Sequence, residues 1–435
     1  MAAEASVEQV STTMVHLPRK VDTPTRLELT AWDLSMLSTH YIQLCVVFPK
    51  PPVPFDDTIC RLQTSLSDSL RYFPFLSGRL VTDPETTTFV DCKDSGVEFT
   101  VSKAAGLCIS DLVSDVVPET VNSFFPLVAA IGYDGHYRPL LAIQVTEVMD
   151  GVVIGCSMNH AIADGGSFCH FVKSWSELSA GAKTITRQPM TERPLIHKEV
   201  GQMRFIASEK DLDRTLPPPF KVRMFRFTSK AVARVKAKTN ERLKLESGEI
   251  SSLQAITALL WRSTMRAKNF PDEAITVCVM TVGCRSRLRP PLPEEYFGNC
   301  LHPLVVQAKV GELLAHDLSW AAQALHSEVA AQTADVIRER VKAWAKMPFT
   351  YGNSRPVSNV VVVGMSPRYE IYGIDFGWGM GHSVIGGPGS KFDGKIEVFP
   401  GKSGNGSIDL QVCLAPQYMS ALESDQELLD ALNGA

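Results

Sequence analysis

The chain has 435 residues, 45% hydrophobic and 21% charged, with a formal net charge of -4. That length exceeds one ordinary core and predicts two α/β domains, while the near-balanced charge excludes a basic nucleic-acid or anionic-membrane footprint. No apolar run is long enough to span a bilayer. The first residues lack the basic and apolar regions of a secretory signal, and the closing Leu-Asn-Gly-Ala is no organelle address. The sequence therefore predicts a cytoplasmic, monomeric protein. Ten cysteines are scattered without Cys-x-x-Cys pairs, which predicts reduced thiols and neither a zinc site nor a disulfide framework.

In chain order, Ile59–Leu76 has apolar residues at helical spacing and ends at Ser77-Gly78-Arg79. Leu140–Val148 and Val152–Met158 flank the turn Met149-Asp150-Gly151 and predict a hairpin. Ser167–Leu178 returns to helical spacing. The segment 181–219 is rich in Lys, Arg, Thr and Pro and reads as a linker ending in three prolines. It divides an N-terminal domain, 1–180, from a C-terminal domain, 220–435. In the second, Val222–Phe227 reads as a strand, and Ser251–Met265 as a helix with Ser251 at its N-cap. Gly311–Trp344 reads as one long helix. Asn359–Gly364, Lys395–Phe399 and Ser407–Leu414 read as strands, and the sequon Asn405-Gly406-Ser407 between them as a turn.

Three segments carry candidate chemistry. The strand Val152–Met158 runs into Asn159-His160-Ala-Ile-Ala-Asp164-Gly165-Gly166, and a helix follows. A histidine at a strand end is rigidly held and titrates near neutral pH, which suits a general base. Asp164 four residues on, in a loop broken by two glycines, suits a loop organiser. His-x-x-x-Asp alone is weak evidence, and a structural histidine is the ordinary reading. The second segment, Asp375-Phe376-Gly377-Trp378-Gly379, reads by itself as a glycine turn around an aromatic. The third, Cys284-Arg285-Ser-Arg-Leu-Arg followed by Tyr296-Phe-Gly-Asn299, has alternating arginines that suit an anion or a solvated face.

Together, in this order, these segments resemble the plant BAHD acyltransferases, which are marked by His-x-x-x-Asp near mid-chain and Asp-Phe-Gly-Trp-Gly near the C-terminus. Trp32-Asp33, His40-Tyr-Ile-Gln43, Ser251-Ser-Leu-Gln with Trp261-Arg262, and Lys391-Phe-Asp-Gly-Lys395 extend the likeness over almost the whole chain. The resemblance implies an α/β fold of two chloramphenicol-acetyltransferase-like domains, each a mixed sheet with flanking helices, around a channel. Acyl-CoA would enter as co-substrate from one side and a small-molecule hydroxyl or amine acceptor of plant specialised metabolism from the other, with no permanently bound cofactor and no metal. His160 would deprotonate the acceptor for direct attack on the thioester in a ternary complex. Asp164 would pair with Arg285, and Trp378 would donate its indole N–H to the oxyanion. Asp375, Gly377 and Gly379 would fix a turn, and Ser251 and Ser252 would meet coenzyme A groups. His40, Tyr41 and Gln43, with Met380 and His382 across the channel, would line the substrate pocket.

The chain departs from its branch of the family at Met380-Gly381-His382, where a basic residue and a proline are usual, and at Gly283, where Asp is frequent. Competing signatures are weaker. There is no Gly-x-Ser-x-Gly elbow, and the P-loop near miss Gly389–Lys395 continues into Ile396. Two alternatives stay open: a lyase or rearrangement that keeps His160 as base, and a non-catalytic binding protein.

Overall fold

The computed structural model describes residues 6–18, 24–193, 205–208, 212, 214, 218–241, 243, 249–352 and 358–434. The first half of the chain supplies β1 (Glu8–Val15), β2 (Arg26–Glu28), α1 (Ala31–Leu34), β3 (Ile42–Pro49), α2 (Phe55–Ser69), β4 (Arg79–Thr82), β5 (Thr88–Asp91), β6 (Val97–Ala104), β7 (Leu141–Val148), β8 (Gly151–Met158) and α3 (Gly165–Ser179). The second supplies β9 (Lys221–Phe227), α4 (Ser229–Asn240), α5 (Ser252–Lys268), β10 (Ile275–Gly283), β11 (Leu301–Lys309), α6 (Val310–Ala315), α7 (Leu318–Ala330), α8 (Ala334–Lys346), β12 (Val360–Met365), β13 (Ser383–Gly386), β14 (Lys395–Pro400), β15 (Ile408–Leu414), α9 (Pro416–Glu423) and α10 (Gln426–Asn433).

Two six-stranded mixed sheets result, ordered β1-β6-β7-β8-β3-β13 and β11-β10-β12-β14-β15-β9, with a small sheet β2-β5-β4 beside the first. The hairpin β7–β8 closes on the two residues Met149 and Asp150, and its register pairs Val148 with Gly151. β3 lies against the other side of β8, with Ile42 opposite Met158 and Phe48 opposite Val152. β8 is buried along its whole length, because α2 and α3 cover one face and 3₁₀ turns around Phe124 cover the other. It is the rigid rail that ends at His160.

The two halves interlock. β13 comes from the C-terminal half but pairs with β3 at the edge of the first sheet, Ser383 with Val47 and Gly386 with Leu44. A cut between 180 and 220 would assign this strand to the second domain; its hydrogen bonds put it in the first. The first domain's core also takes in Tyr296, Phe297, Ile371, Ile374, Phe376 and Phe399. The described part of the 181–219 segment is no open linker. Ile185 is buried, the Arg187 carbonyl accepts from His170, and Met190 pairs with Tyr296. Most of 194–217 lies outside the described residues.

Two helical expectations change. The stretch Gly311–Trp344 is three helices, because Asp317 and Thr333 turn their side chains onto the backbone N–H groups of Trp320 and Val336 and start new helices there. The helix expected over Ile59–Leu76 begins at Phe55 and stops at Ser69, and Pro74–Ser77 forms a separate 3₁₀ turn. Around Asn405 the backbone takes positive φ at Gly404, Asn405 and Gly406, a tight turn. All ten cysteines are unpaired, eight of them buried.

The rail can be tested at Gly155. A Cβ there would lie 2.0 Å from the Phe124 carbonyl oxygen, a backbone atom that cannot swing aside. Gly155→Ala is expected to destabilise the protein by about 1–3 kcal/mol, measured as a lower midpoint in urea denaturation.

Candidate active site

The loop after β8 is fixed from its first residue. Asn159 spends its whole amide on it. Its Nδ2 donates to the Tyr41 hydroxyl and the Gly132 carbonyl, and its Oδ1 accepts from the Ala161 N–H. His160 follows with its backbone carbonyl clamped by Asn299 Nδ2 at 2.8 Å. Asn299 is itself held by Asp33 Oδ1, which accepts from both its backbone and its side-chain N–H. Asp33 owes its position to the capping box at the start of α1, where it exchanges hydrogen bonds with Thr30. The histidine thus sits between a strand end of the first sheet and a loop of the second half.

Nδ1 of His160 is buried against its own loop backbone, without a well-aligned partner among the described residues. Nε2 is not among the buried side-chain atoms that lack a partner. Burial pushes the imidazole pKa below its ordinary value. The loop backbone and Asp164 oppose that shift, and the charge of Lys395 adds to it. At neutral pH His160 is therefore an unprotonated base.

Asp164 faces away from His160. It caps α3 by accepting from the Ser167 N–H, accepts from the Cys300 N–H, and receives Arg285 on both oxygens, at 2.6 and 3.0 Å. Burial alone would raise this carboxyl, but the Arg285 charge and the hydrogen bonds outweigh it and hold its pKa below the ordinary range. Arg285 also donates to the carbonyls of Tyr296 and Gly298 and to Ser167 Oγ. Tyr296-Phe-Gly-Asn299 is the matching surface. Tyr296 lies between the guanidinium groups of Arg193 and Arg285. Gly298 has φ 147° and sits where a Cβ would be 2.9 Å from Arg193.

The Asp375–Gly379 turn lies elsewhere. Asp375 Oδ1 accepts from the N–H groups of Gly377, Trp378 and Gly379, and both glycines take the positive φ that the turn requires. Trp378 packs on Phe48 and Phe376, with Arg61 over its ring. Phe48 is six residues along β3 from Ile42, the residue level with the His160 end of β8. At about 3.3 Å per residue the turn is roughly 20 Å from His160. The oxyanion role expected of Trp378 is thereby corrected: its indole N–H is buried at the far end of the sheet.

The same register divides the expected pocket. Met380 and His382 belong to the far end, where the His382 N–H donates to the Val47 carbonyl and its ring meets Lys402, and Met380 is 64% exposed. Their register places them at the opposite end of β3 from His160. His40, Tyr41 and Gln43 are at the correct end, but two of them are structural braces. The Tyr41 hydroxyl donates to the Pro139 carbonyl, and Gln43 bonds Pro126, Ser157 and the Gly389 N–H. His40 is buried and bridges to Ile131. Ser251 uses its hydroxyl to cap α5, and Ser252 begins that helix. Among the described residues no cluster of His, Cys, Asp and Glu could hold a metal, and no helix is long and apolar enough to cross a membrane.

Sequence reasoning gave no role to Asp33, Ser167 or Arg193, and it passed over Lys395. For the first, the capping pattern Thr30-x-x-Asp33 was available as a signal. Lys395 was visible only as the end of a glycine-containing motif.

Known proteins resemble this chain along nearly its whole length. The Transferase family matches residues 5–429. The BAHD acyltransferase DCR of Arabidopsis thaliana is 32% identical over 428 residues, 93% of this chain and 88% of that protein. The fold matches that of vinorine synthase with a TM-score of 0.78 at 21% identity, over 98% of both chains. It also matches TRI101 of F. sporotrichioides, complexed with coenzyme A and T-2, with a TM-score of 0.73 at 19% identity, over 94% of this chain and 99% of that one.

Removing the Asp164 carboxylate leaves Arg285 in a buried site without its counter-charge. Asp164→Ala is expected to lower stability by about 3–5 kcal/mol, and Asp164→Asn by less. Because the folded pKa of Asp164 is depressed, its stabilisation is present above the ordinary carboxylate range, near pH 4, and is lost as pH falls below it. The stability gap between wild type and Asp164→Asn should therefore narrow on acidification, read by urea titrations at pH 7 and pH 3.5.

Proposed function

The chain belongs to the BAHD acyltransferases and is an acyl-CoA-dependent acyltransferase, and we propose that His160 serves it as general base toward a small-molecule hydroxyl or amine acceptor of plant specialised metabolism. The observation that carries this reading is the placement of His160: a neutral imidazole at a rigid strand end, its carbonyl and loop held by the opposite half of the molecule. Nε2 removes the proton of the acceptor as its oxygen or nitrogen attacks the thioester carbon. The tetrahedral intermediate expels the coenzyme A thiolate, which takes that proton from the imidazolium.

Among the described residues, no hydrogen bond pairs a serine or cysteine with His160 as a nucleophile. Burial raises the thiols of Cys156 and Cys169 well above their ordinary value, so neither is a thiolate at neutral pH. We therefore assign a ternary complex, in which orientation of two bound substrates supplies much of the acceleration. Coenzyme A is proposed to meet the N-terminal end of α5 near Ser251 and Ser252. The enzyme is proposed to act as a cytoplasmic monomer, with no permanently bound cofactor.

His160→Ala is expected to reduce kcat by about 10²–10⁴-fold, with a thermal midpoint near that of wild type. Released coenzyme A thiol, measured with a panel of acyl-CoA donors and acceptors, reports it, and unchanged turnover would sink the assignment. Initial-rate plots should intersect. A burst of free coenzyme A without acceptor would instead reveal an acyl-enzyme.

A further inference from the structure

The second sheet offers a cation to this site. Along β14, Ile396 and Val398 point into the core of the C-terminal domain, so Lys395, Glu397 and Phe399 point the other way, and Phe399 joins the core of the first domain. Lys395 therefore stands on the sheet face turned toward His160. Its Nζ occupies the space over Gly364 on the neighbouring β12, 2.9 Å from where a Cβ would be, so a side chain there would displace the ammonium from its present position. The next residue, Met365, brings its sulfur to 3.2 Å from the corresponding position on Gly165, immediately after Asp164. The end of β12 thus abuts the His160 loop, and the lysine beside it is close enough for its charge to disfavour protonation of His160. Among the described residues the ammonium has no ion pair. Glu397, two residues along the same face, is its nearest carboxylate influence, and that carboxylate is itself bonded to Gln411.

The proposed reaction develops negative charge on the thioester oxygen, and Trp378 is about 20 Å from where that happens, by strand register. We propose that Lys395 is a catalytic residue of this site, its ammonium donating a hydrogen bond to the oxyanion formed beside His160. The inference rests on the acyl-transfer reading above. In the step itself, the acceptor oxygen or nitrogen bonds to the thioester carbon while its proton passes to His160 Nε2, and the carbonyl π pair moves onto oxygen. Lys395 donates a hydrogen bond to that oxygen and keeps its proton. The pair returns as the carbon–sulfur bond breaks, and the thiolate leaves with the proton from His160. A cationic donor held in a buried site is worth more than one in solvent, because little needs to reorganise as charge appears.

The pH profile follows from the groups that face the pair. Asp164, tied to Arg285, draws the imidazole pKa up, and Lys395 draws it down. On the lysine side stand Glu397 and the buried thiol of Cys413, the latter pushed up to about 12 and faced also by Lys391. Burial lowers the Lys395 pKa from its ordinary value. Activity should therefore rise through the His160 pKa on the acid side and fall as Lys395 loses its proton, below the ordinary lysine range, on the alkaline side.

The test uses the full chain and any donor–acceptor pair it turns over, comparing Lys395→Met, Lys395→Arg and Gly364→Ala. Lys395→Met keeps the stem and removes the charge. It is expected to lower kcat by about 10²–10³-fold with both KM values within a few-fold, to move the acid limb of kcat/KM to higher pH, and to abolish the alkaline limb. Lys395→Arg should recover part of the rate. Gly364→Ala, at an ordinary backbone conformation, keeps the lysine but pushes the ammonium aside, and should also lower kcat, so the inference stays testable if Lys395→Met does not fold. Retained kcat in Lys395→Met or Gly364→Ala overturns the inference. So does a loss confined to the KM of a carboxylate-bearing donor or acceptor, relative to an uncharged one, since the lysine would then be a substrate anchor. His160→Ala measured alongside separates the two proposals: if it keeps turnover, the general-base reading fails, whereas if it loses turnover while Lys395→Met does not, only the role of Lys395 fails.

Discussion

The bidentate pair between Asp164 and Arg285 is the contact on which the site depends. A buried ion pair contributes little net stability compared with apolar packing, because both charges must be desolvated. Its effect here is geometric. The carboxylate cannot leave Arg285, Ser167 and Cys300 without exposing several buried donors at once, so the loop carrying His160 has one position relative to the C-terminal half. The Asn299 clamp on the His160 carbonyl and the reciprocal bonds of Ser167 Oγ with Gly298 add two more polar ties across the same seam. Apolar surfaces can slide; a set of directional bonds of this kind does not.

That constraint explains why the His-x-x-x-Asp spacing holds no dyad. The strand end delivers the imidazole to one side of the loop, and the N-cap of α3 turns the carboxylate to the other. A carboxylate that already accepts four donors has no lone pair to orient a histidine. His160 is instead kept neutral by burial, with Asp164 close enough only to temper the shift. The covalent crossing of β13 works toward the same end. By placing a strand from the C-terminal half at the edge of the first sheet, it prevents the halves from separating at the far end, where the Asp375 turn and Trp378 pack. The last glycine-rich motif is thus a fastening some 20 Å from His160, by strand register.

Much of this was legible in the sequence because it is local. The β7–β8 hairpin, α3 and the capped start of α5 follow from period, turn residues and caps within a dozen positions. The family resemblance supplied the fold that local signals alone could not. What escaped is long-range or directional. Nothing in Ser383–Gly386 says that it pairs with β3 rather than with its own sheet. The donor role of Trp378 comes only from the family resemblance, and only the register of β3 on β8 shows which end it occupies. Gln43 and Tyr41 read as pocket residues because polar side chains in an apolar strand suggest function. In the structure they satisfy buried carbonyls, the commoner reason for such a side chain. Asp317 and Thr333 broke a long helix by capping, a signal present in the sequence but overridden by the alanine-rich period around it.

Lys395 illustrates why a charged residue inside a strand is harder to interpret than one in a loop. In the sequence it alternates with Ile396, Glu397 and Val398, the pattern of a strand with one solvated face. The alternation is real, but the polar face is turned inward, toward a second domain that the sequence does not display. Burial makes each charge there expensive unless it is paired or used. Glu397 finds Gln411, and Lys268 on the helix side finds Asp393 and a backbone carbonyl. Lys395 instead rests over a glycine, beside the His160 loop, with its charge uncompensated at close range among the described residues. The role proposed for Lys395 needs a group that can stabilise transient charge without being quenched in the resting state. An ammonium kept apart from carboxylates by the width of a strand step, in a space emptied by Gly364, meets that requirement through packing alone.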